Sequence, residues 1–279
     1  MSTNVYRKNI KLDLIHTFLR SLNFTHGIWY VYLIFQGFTY FEVGIFETIF
    51  HITSLSMEVP TGIVADLYGR KVSRVLGILS YFIYVLILIF STNIILISIA
   101  FIFCGLSFTF ESGSGEALVY DSMKLSGEEK NFMKFLGKKE ILYQIASTIA
   151  LFIGGWIALT SYKIDFWLVL IGFTAALMVI LLMKETPLNM HKKTKKVSKL
   201  LYEHFIISSK TVFSNKRLTF LIIIGALVSA PITSLFFLVS DHVISNLGYS
   251  NLLLGIFLGS HAAAGAIGGY VAYKLENRY

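Results

Sequence analysis

Gly62-Ile63-Val64-Ala65-Asp66-Leu67-Tyr68-Gly69-Arg70-Lys71 is the stretch on which the fold turns. An apolar run ends at Ala65, and a second apolar run starts at Val72. The charged turn between them leaves almost no room for a loop, so Asp66, Gly69 and Arg70 are expected at a membrane surface between two helices. Gly62 permits close helix packing, and Gly69 permits a tight turn because it lacks a Cβ. Asp66, placed just beyond the first helix, is expected to cap the second, where an anion meets the positive end of the helix dipole. Arg70 is left to reach an acid on another helix.

Working outward, the whole chain shares this character. Of its 279 residues 55% are hydrophobic and only 14% charged, with a mean hydropathy of +0.69. Soluble domains carry about 25% charged residues, so the composition indicates an all-α polytopic membrane protein rather than a soluble enzyme. The 24 Phe and 15 Tyr suit lipid-facing walls and interfacial belts. Period-2 alternation is absent, which argues against a β-barrel. The single cysteine, Cys104, excludes an internal disulfide and reads as a small core hydrophobe. The first apolar run is long and lacks a small-residue cleavage site, so it reads as a retained helix, not a signal peptide.

A helix needs roughly 20 mostly apolar residues to cross the hydrocarbon. Eight segments are expected to do so: Leu14 to Phe35, Val43 to Ala65, Val72 to Phe90, Ile94 to Leu118, Ile141 to Leu159, Phe166 to Met183, Leu218 to Val239, and Leu252 to Val271. Charge placement tests the count, because Lys and Arg collect on the cytoplasmic side. With both termini inside and every segment crossing, all of the 24 lysines and arginines fall inside except Lys163 and Arg20. The +8 net charge is therefore a topology signal, and nucleic acid is not an expected partner. The expected organisation is a six-helix bundle over residues 1–183, a basic cytoplasmic linker over 184–217, and two further helices over 218–279. Within the linker, Leu200, Leu201, His204, Phe205 and Ser208 repeat at helical spacing, as in a short helix lying on the inner leaflet.

Ionisable residues inside spans are costly and mark functional candidates. Arg20 lies about two turns into the first span, while Glu111 and Glu116 lie in the inner part of the fourth. Arg20 is at a depth to pair with either acid. Small residues surround these acids in Phe110-Glu111-Ser112-Gly113-Ser114-Gly115-Glu116, leaving room for a substrate or for close helix approach. Two readings stand for Glu111: a cavity carboxylate that binds a cation or carries a proton, and a structural Arg–Glu bridge. Glu47 and His51, four apart, share a helix face, as an outer-interface pair or a proton relay. His26, His242 and His261 are isolated and read as packing residues. No metal-ligand spacing, nucleotide-binding loop or catalytic triad is present, so neither a cofactor nor an enzymatic activity is expected.

The opening stretch resembles the signature loop of the major facilitator superfamily: glycine, three residues, aspartate, arginine, any residue, glycine, two basic residues. Gly62, Asp66, Gly69, Arg70 and Lys71 match, while Leu67 stands where arginine is usual. Glu58-Val59-Pro60-Thr61 also looks like the approach to this loop in bacterial members. The resemblance implies a conformational latch, in which the aspartate meets the opposite bundle and the arginine pairs with an acid near the inner end of the fourth helix. In this chain that acid is Asp121. It further implies a secondary transporter of a small solute, working by alternating access in the plasma membrane, proton-coupled and exporting amphipathic compounds. Gly154-Gly155 in the fifth span lacks the longer glycine and proline pattern of the family's drug antiporters. Gly268-Gly269-Tyr270-Val271-Ala272-Tyr273-Lys274 echoes the stretch from Gly62, so the chain is expected to stop within a second copy of the loop, four helices short of two full bundles. The expected partners are then a small-molecule substrate, protons, the bilayer and a missing C-terminal fragment. The alternatives are a non-transporting membrane remnant or scaffold, and an integral membrane enzyme around Glu111 to Asp121.

Overall fold

The computed structural model describes residues 3–187, 210–212, 214–225, 227–228 and 250–276. Among these the chain is helical without strands. The helices include α1 (Thr3–Ser21), α2 (Trp29–Phe35), α3 (Tyr40–Tyr68), α4 (Arg70–Phe90), α5 (Ile94–Glu111), α6 (Ser114–Ser126), α7 (Phe132–Ile157), α8 (Tyr162–Leu182) and α9 (Asn251–Glu276). Among the described residues, four stretches are long and apolar enough to cross a membrane: Arg70–Phe90, Ile94–Ser126, Glu129–Ile157 and Tyr162–Leu182. The expected short helix over 200–208 and most of the span over 218–239 lie outside the described residues.

Local chemistry sets the helix ends. Thr39 and Glu42 form a reciprocal capping box at the start of α3, satisfying two backbone donors that a helix start leaves open. The Asn93 side chain accepts from the backbone N–H groups of Ile95 and Leu96 at the start of α5. Gly69 alone separates α3 from α4, at φ +108°, a left-handed conformation that L side chains resist.

Three expectations change. The expected first span is two helices, α1 and α2, broken over residues 22–28. There the Asn23 side chain accepts from both the backbone N–H and the hydroxyl of Thr25, a local bond that competes with helix. Asp66 lies in the last turn of α3, not beyond its end, because that helix runs on to Tyr68. The fourth span breaks at Ser112 and Gly113, so Glu111 ends α5 and Glu116 sits in the first turn of α6.

The helices pack around an aromatic centre. Tyr32, Phe46, Tyr84, Phe101, Phe166 and Phe173 are buried in one apolar cluster shared by α2, α3, α4, α5 and α8. Phe41, Leu55, Phe90, Ile95 and Ile171 are exposed on the outside. An exterior this apolar is what lipid, not water, would cover. α1 does the opposite and buries polar groups: Asn9, Asp13 and His16 are all nearly inaccessible. Asn9 donates to Ser122 Oγ at 2.9 Å and Lys184 O at 2.8 Å, and accepts from Lys184 N at 2.9 Å. It thereby ties α1 to α6 and to the end of α8.

α9 lies against α7. A Cβ built at Gly155 would stand 2.6 Å from Asn251 O and 2.7 Å from Gly255 Cα, so the two backbones touch through paired glycines. Asn251 Nδ2 donates to Tyr162 Oη at 2.9 Å beside this contact.

Candidate functional site

Two polar assemblies lie within the bundle, and a cavity opens beside the second. The first assembly surrounds the α3–α4 turn. Arg70 Nη1 lies 2.5 Å from Asp121 Oδ2, with both side chains mostly buried. Thr186 Oγ1 also donates to that carboxylate oxygen, at 3.4 Å. Glu185 Oε2 accepts from Lys71 N at 2.7 Å, in the first turn of α4, where the helix dipole favours an anion. Lys71 Nζ donates to the carbonyls of Leu181 and Met183, both at 2.8 Å, at the end of α8, where a cation is favoured.

The turn is therefore fastened to α6 by Arg70 and to α8 by Lys71 and Glu185. Glu185 holds the capping position that sequence reasoning gave to Asp66; the N-cap of α4 is Gly69, which has no side-chain oxygen. Asp66 is half-buried and forms no hydrogen bond or ion pair among the described residues. Gly62 has nothing among the described residues within 4 Å of an added Cβ, so none of them packs closely there.

The second assembly centres on Arg74, one turn further along α4. Its side chain is fully buried. Nη1 lies 2.7 Å from Asp13 Oδ1. Nη2 donates to Glu111 Oε1 at 2.8 Å, and Nε contacts both Glu111 oxygens at 3.1 and 3.2 Å. Lys139 Nζ stands 3.6 Å from the other Asp13 oxygen. His16 Nε2 is 3.4 Å from Glu111 Oε1, and its Nδ1 is 3.3 Å from Ala176 O. A carbonyl only accepts, so the Nδ1 contact assigns a proton to Nδ1.

Glu111 thus pairs with Arg74 rather than with Arg20. The reason is rotational: Arg74 and Glu111 face each other where α4 packs on α5, whereas Arg20 projects from the end of α1. Arg20 sits over the Phe173 ring, 5.9 Å from its centroid, and is in no ion pair among the described residues. Glu116 is exposed and likewise forms no ion pair there.

The cavity has a volume of about 940 Å³. Arg20, Glu111 and Glu116 all line it, as do Glu47 and His51, which face each other at 3.4 Å. Its walls include Trp29, Phe50, Tyr81, Tyr84 and Phe173, and residues of the α1–α2 break reach it through Asn23, Thr25 and His26. Sequence reasoning missed Asp13, His16, Arg74 and Glu185. Asp13 and His16 fall one turn apart on α1, a signal for a shared face, but Arg74 reads as one more inner-loop cation.

The comparisons agree on ancestry. The family model described as Major Facilitator Superfamily matches residues 14–279. A protein of Bacillus subtilis (strain 168), the "Uncharacterized MFS-type transporter YxaM", is 24% identical over 262 residues, covering 89% of this chain. The chain spans 59% of that relative's length.

Proposed function

Because this chain belongs to the major facilitator superfamily, we propose that it is the transport unit, or a large part of one, of a secondary transporter for a small solute in the bacterial plasma membrane. The observation that carries this reading is the cavity of about 940 Å³, lined by charged and aromatic side chains and bordered by His16, Glu111 and Lys139 of the Arg74 assembly. A site of this size suits a drug-sized molecule.

The residues divide the work. Arg70, Asp121, Lys71 and Glu185 hold the turn rigidly to α6 and α8, so that α3, α4, α6 and α8 move as one body. Asp66, left unpaired among the described residues, is the group available to meet an opposing bundle, as the family resemblance implies. Rocking that makes and breaks the Asp66 contact would open the cavity alternately to the two sides.

Arg74, Asp13 and Glu111 form a buried bridge that fixes α1, α4 and α5. Glu111 therefore reads as the structural partner of Arg74 more than as a free carrier. Proton coupling is assigned to His16: with Nδ1–H on Ala176 O, its Nε2 faces the Glu111 carboxylate, and a second proton would turn that contact into a charge-assisted hydrogen bond. The eight-span topology with both termini inside remains part of this proposal, as does export of amphipathic compounds.

The experiment is a flux panel. Everted vesicles containing the protein are loaded with a proton gradient and offered amphipathic anions, cations and neutral solutes. Gradient-dependent accumulation of at least one class, lost in His16→Ala, supports the reading. Equal flux in vesicles with and without the protein, across the panel, removes it.

A further inference from the structure

Among the described residues, three other cations deep in the bundle are matched. Arg70 meets Asp121, Arg74 meets Asp13 and Glu111, and Lys139 meets Asp13. Arg20 differs. It is half-buried at the last turn of α1, lines the cavity and has no ion pair among the described residues.

Its surroundings are apolar and flat. The guanidinium lies over Phe173, and Phe173 stacks on Tyr81 with centroids 4.1 Å apart and planes 12° apart. The Tyr81 hydroxyl is engaged by Asn23 Nδ2 at 2.8 Å. The acids facing the same cavity are otherwise placed. Glu111 is held by Arg74, Glu47 faces His51, and Glu140 accepts from Gln144 at 2.8 Å. Glu116 and Glu140 are exposed.

A charge inside the membrane persists when something satisfies it. Among the described residues no side chain forms an ion pair with Arg20, Glu111 being held by Arg74 instead, and Arg20 lines a cavity. We propose that Arg20 anchors the anionic head of the transported molecule, a carboxylate or sulfonate, while the Tyr81 and Phe173 rings hold an aromatic or apolar body against it. The substrate class is thus an amphipathic organic anion. Arginine suits this role because its planar fork engages a carboxylate bidentately and also stacks on a ring. The inference rests on the transporter reading for its word "transported", and on the cavity geometry alone for its ligand.

The test uses 4-phenylbutanoate and 4-phenylbutylammonium, matched in body and opposite in charge. Trp29 lines the cavity, so its fluorescence reports binding in a Trp156→Phe/Trp167→Phe background, in vesicles of zwitterionic lipid. The anion is expected to bind about tenfold tighter than the cation, with about tenfold of that affinity lost in Arg20→Gln and only part of it recovered in Arg20→Lys, which keeps the charge but not the planar fork. An unchanged Trp29 emission spectrum before ligand is added shows that the Arg20→Gln bundle is intact. Cation binding as tight as anion binding, absence of anion binding, or an anion affinity unchanged in Arg20→Gln overturns the proposal. Counterflow of 4-phenylbutanoate in the same vesicles separates the two readings. Anion binding without flux removes the transporter and leaves the ligand class, whereas flux of organic cations without anion binding does the reverse.

Discussion

Glu185 accepts a 2.7 Å hydrogen bond from the backbone N–H of Lys71, so a carboxylate from the end of α8 completes the start of α4. Gly69 offers no side chain for this task, and a Cβ there would collide with the Glu185 carboxyl. Two changes therefore strike one joint. Glu185→Gln keeps the shape and removes the charge at the positive helix end, with an expected cost of about 0.3–1 kcal/mol. Gly69→Ala adds the collision and a strained φ, with an expected cost of about 1–3 kcal/mol. Thermal unfolding in detergent checks the order, and faster hydrogen exchange at the Lys71 amide in Glu185→Gln locates the effect.

Arg70 and Asp121 are 51 residues apart in sequence and in contact in space. Arg70→Asp and Asp121→Arg are each expected to impair the protein by placing like charges together. The double swap is expected to recover part of the loss, with a coupling of about 1–3 kcal/mol in a double-mutant cycle. Additive losses would mean that the pair contributes no more than two separate surface charges.

Arg74 compensates two buried carboxylates at once. Its removal in Arg74→Met leaves Glu111 without its guanidinium and Asp13 with only Lys139 at 3.6 Å, and is expected to cost about 3–5 kcal/mol, seen as loss of folded protein on size-exclusion chromatography. Adding Asp13→Asn and Glu111→Gln to Arg74→Met removes the stranded charges and is expected to restore much of the folded yield. A triple variant as unstable as Arg74→Met would show that packing, not charge, is the function of this side chain.

The glycine contact between α7 and α9 makes a separate prediction. Gly155→Val has only backbone in front of it, at Asn251 O and Gly255 Cα, and backbone cannot give way as a flexible side chain does. Leu151 and Leu254 share a buried cluster across this contact. Cross-linking between Leu151→Cys and Leu254→Cys, with Cys104→Ser, is expected to fall several-fold when Gly155→Val is added. Unchanged yield would place the helices further apart than described.

Much of this arrangement is legible in the residues themselves. The turn from Gly62 to Lys71 announces two packed helices, and Asp121 follows as the acid for Arg70 from the resemblance and from its place at the inner end of a span. Apolar run length finds the four long apolar helices. Other features depend on helix rotation, which run length does not encode. Arg74 and Arg20 are both single cations near an inner membrane surface, and only the facing of α4 toward α5 gives Glu111 to Arg74. Asp13 and His16 read as the polar entry to a span, yet they are buried because α1 starts at Thr3 and packs against α6 and α8 over its polar half. Glu185 sits at the edge of a basic linker and gains its role only because the α8 terminus ends beside Gly69.

The proposed transport cycle requires the cavity to open to both sides of the membrane under control of the fastened turn. Ser107 lines that cavity and is buried, so Ser107→Cys in a Cys104→Ser background reports its access to water. A membrane-impermeant maleimide applied separately to right-side-out and everted vesicles reads the two sides. Labelling from both sides is expected, with the ratio shifted by Asp66→Asn, which weakens the contact proposed to close the inner face. Labelling from one side alone, in a ratio indifferent to Asp66, would contradict it.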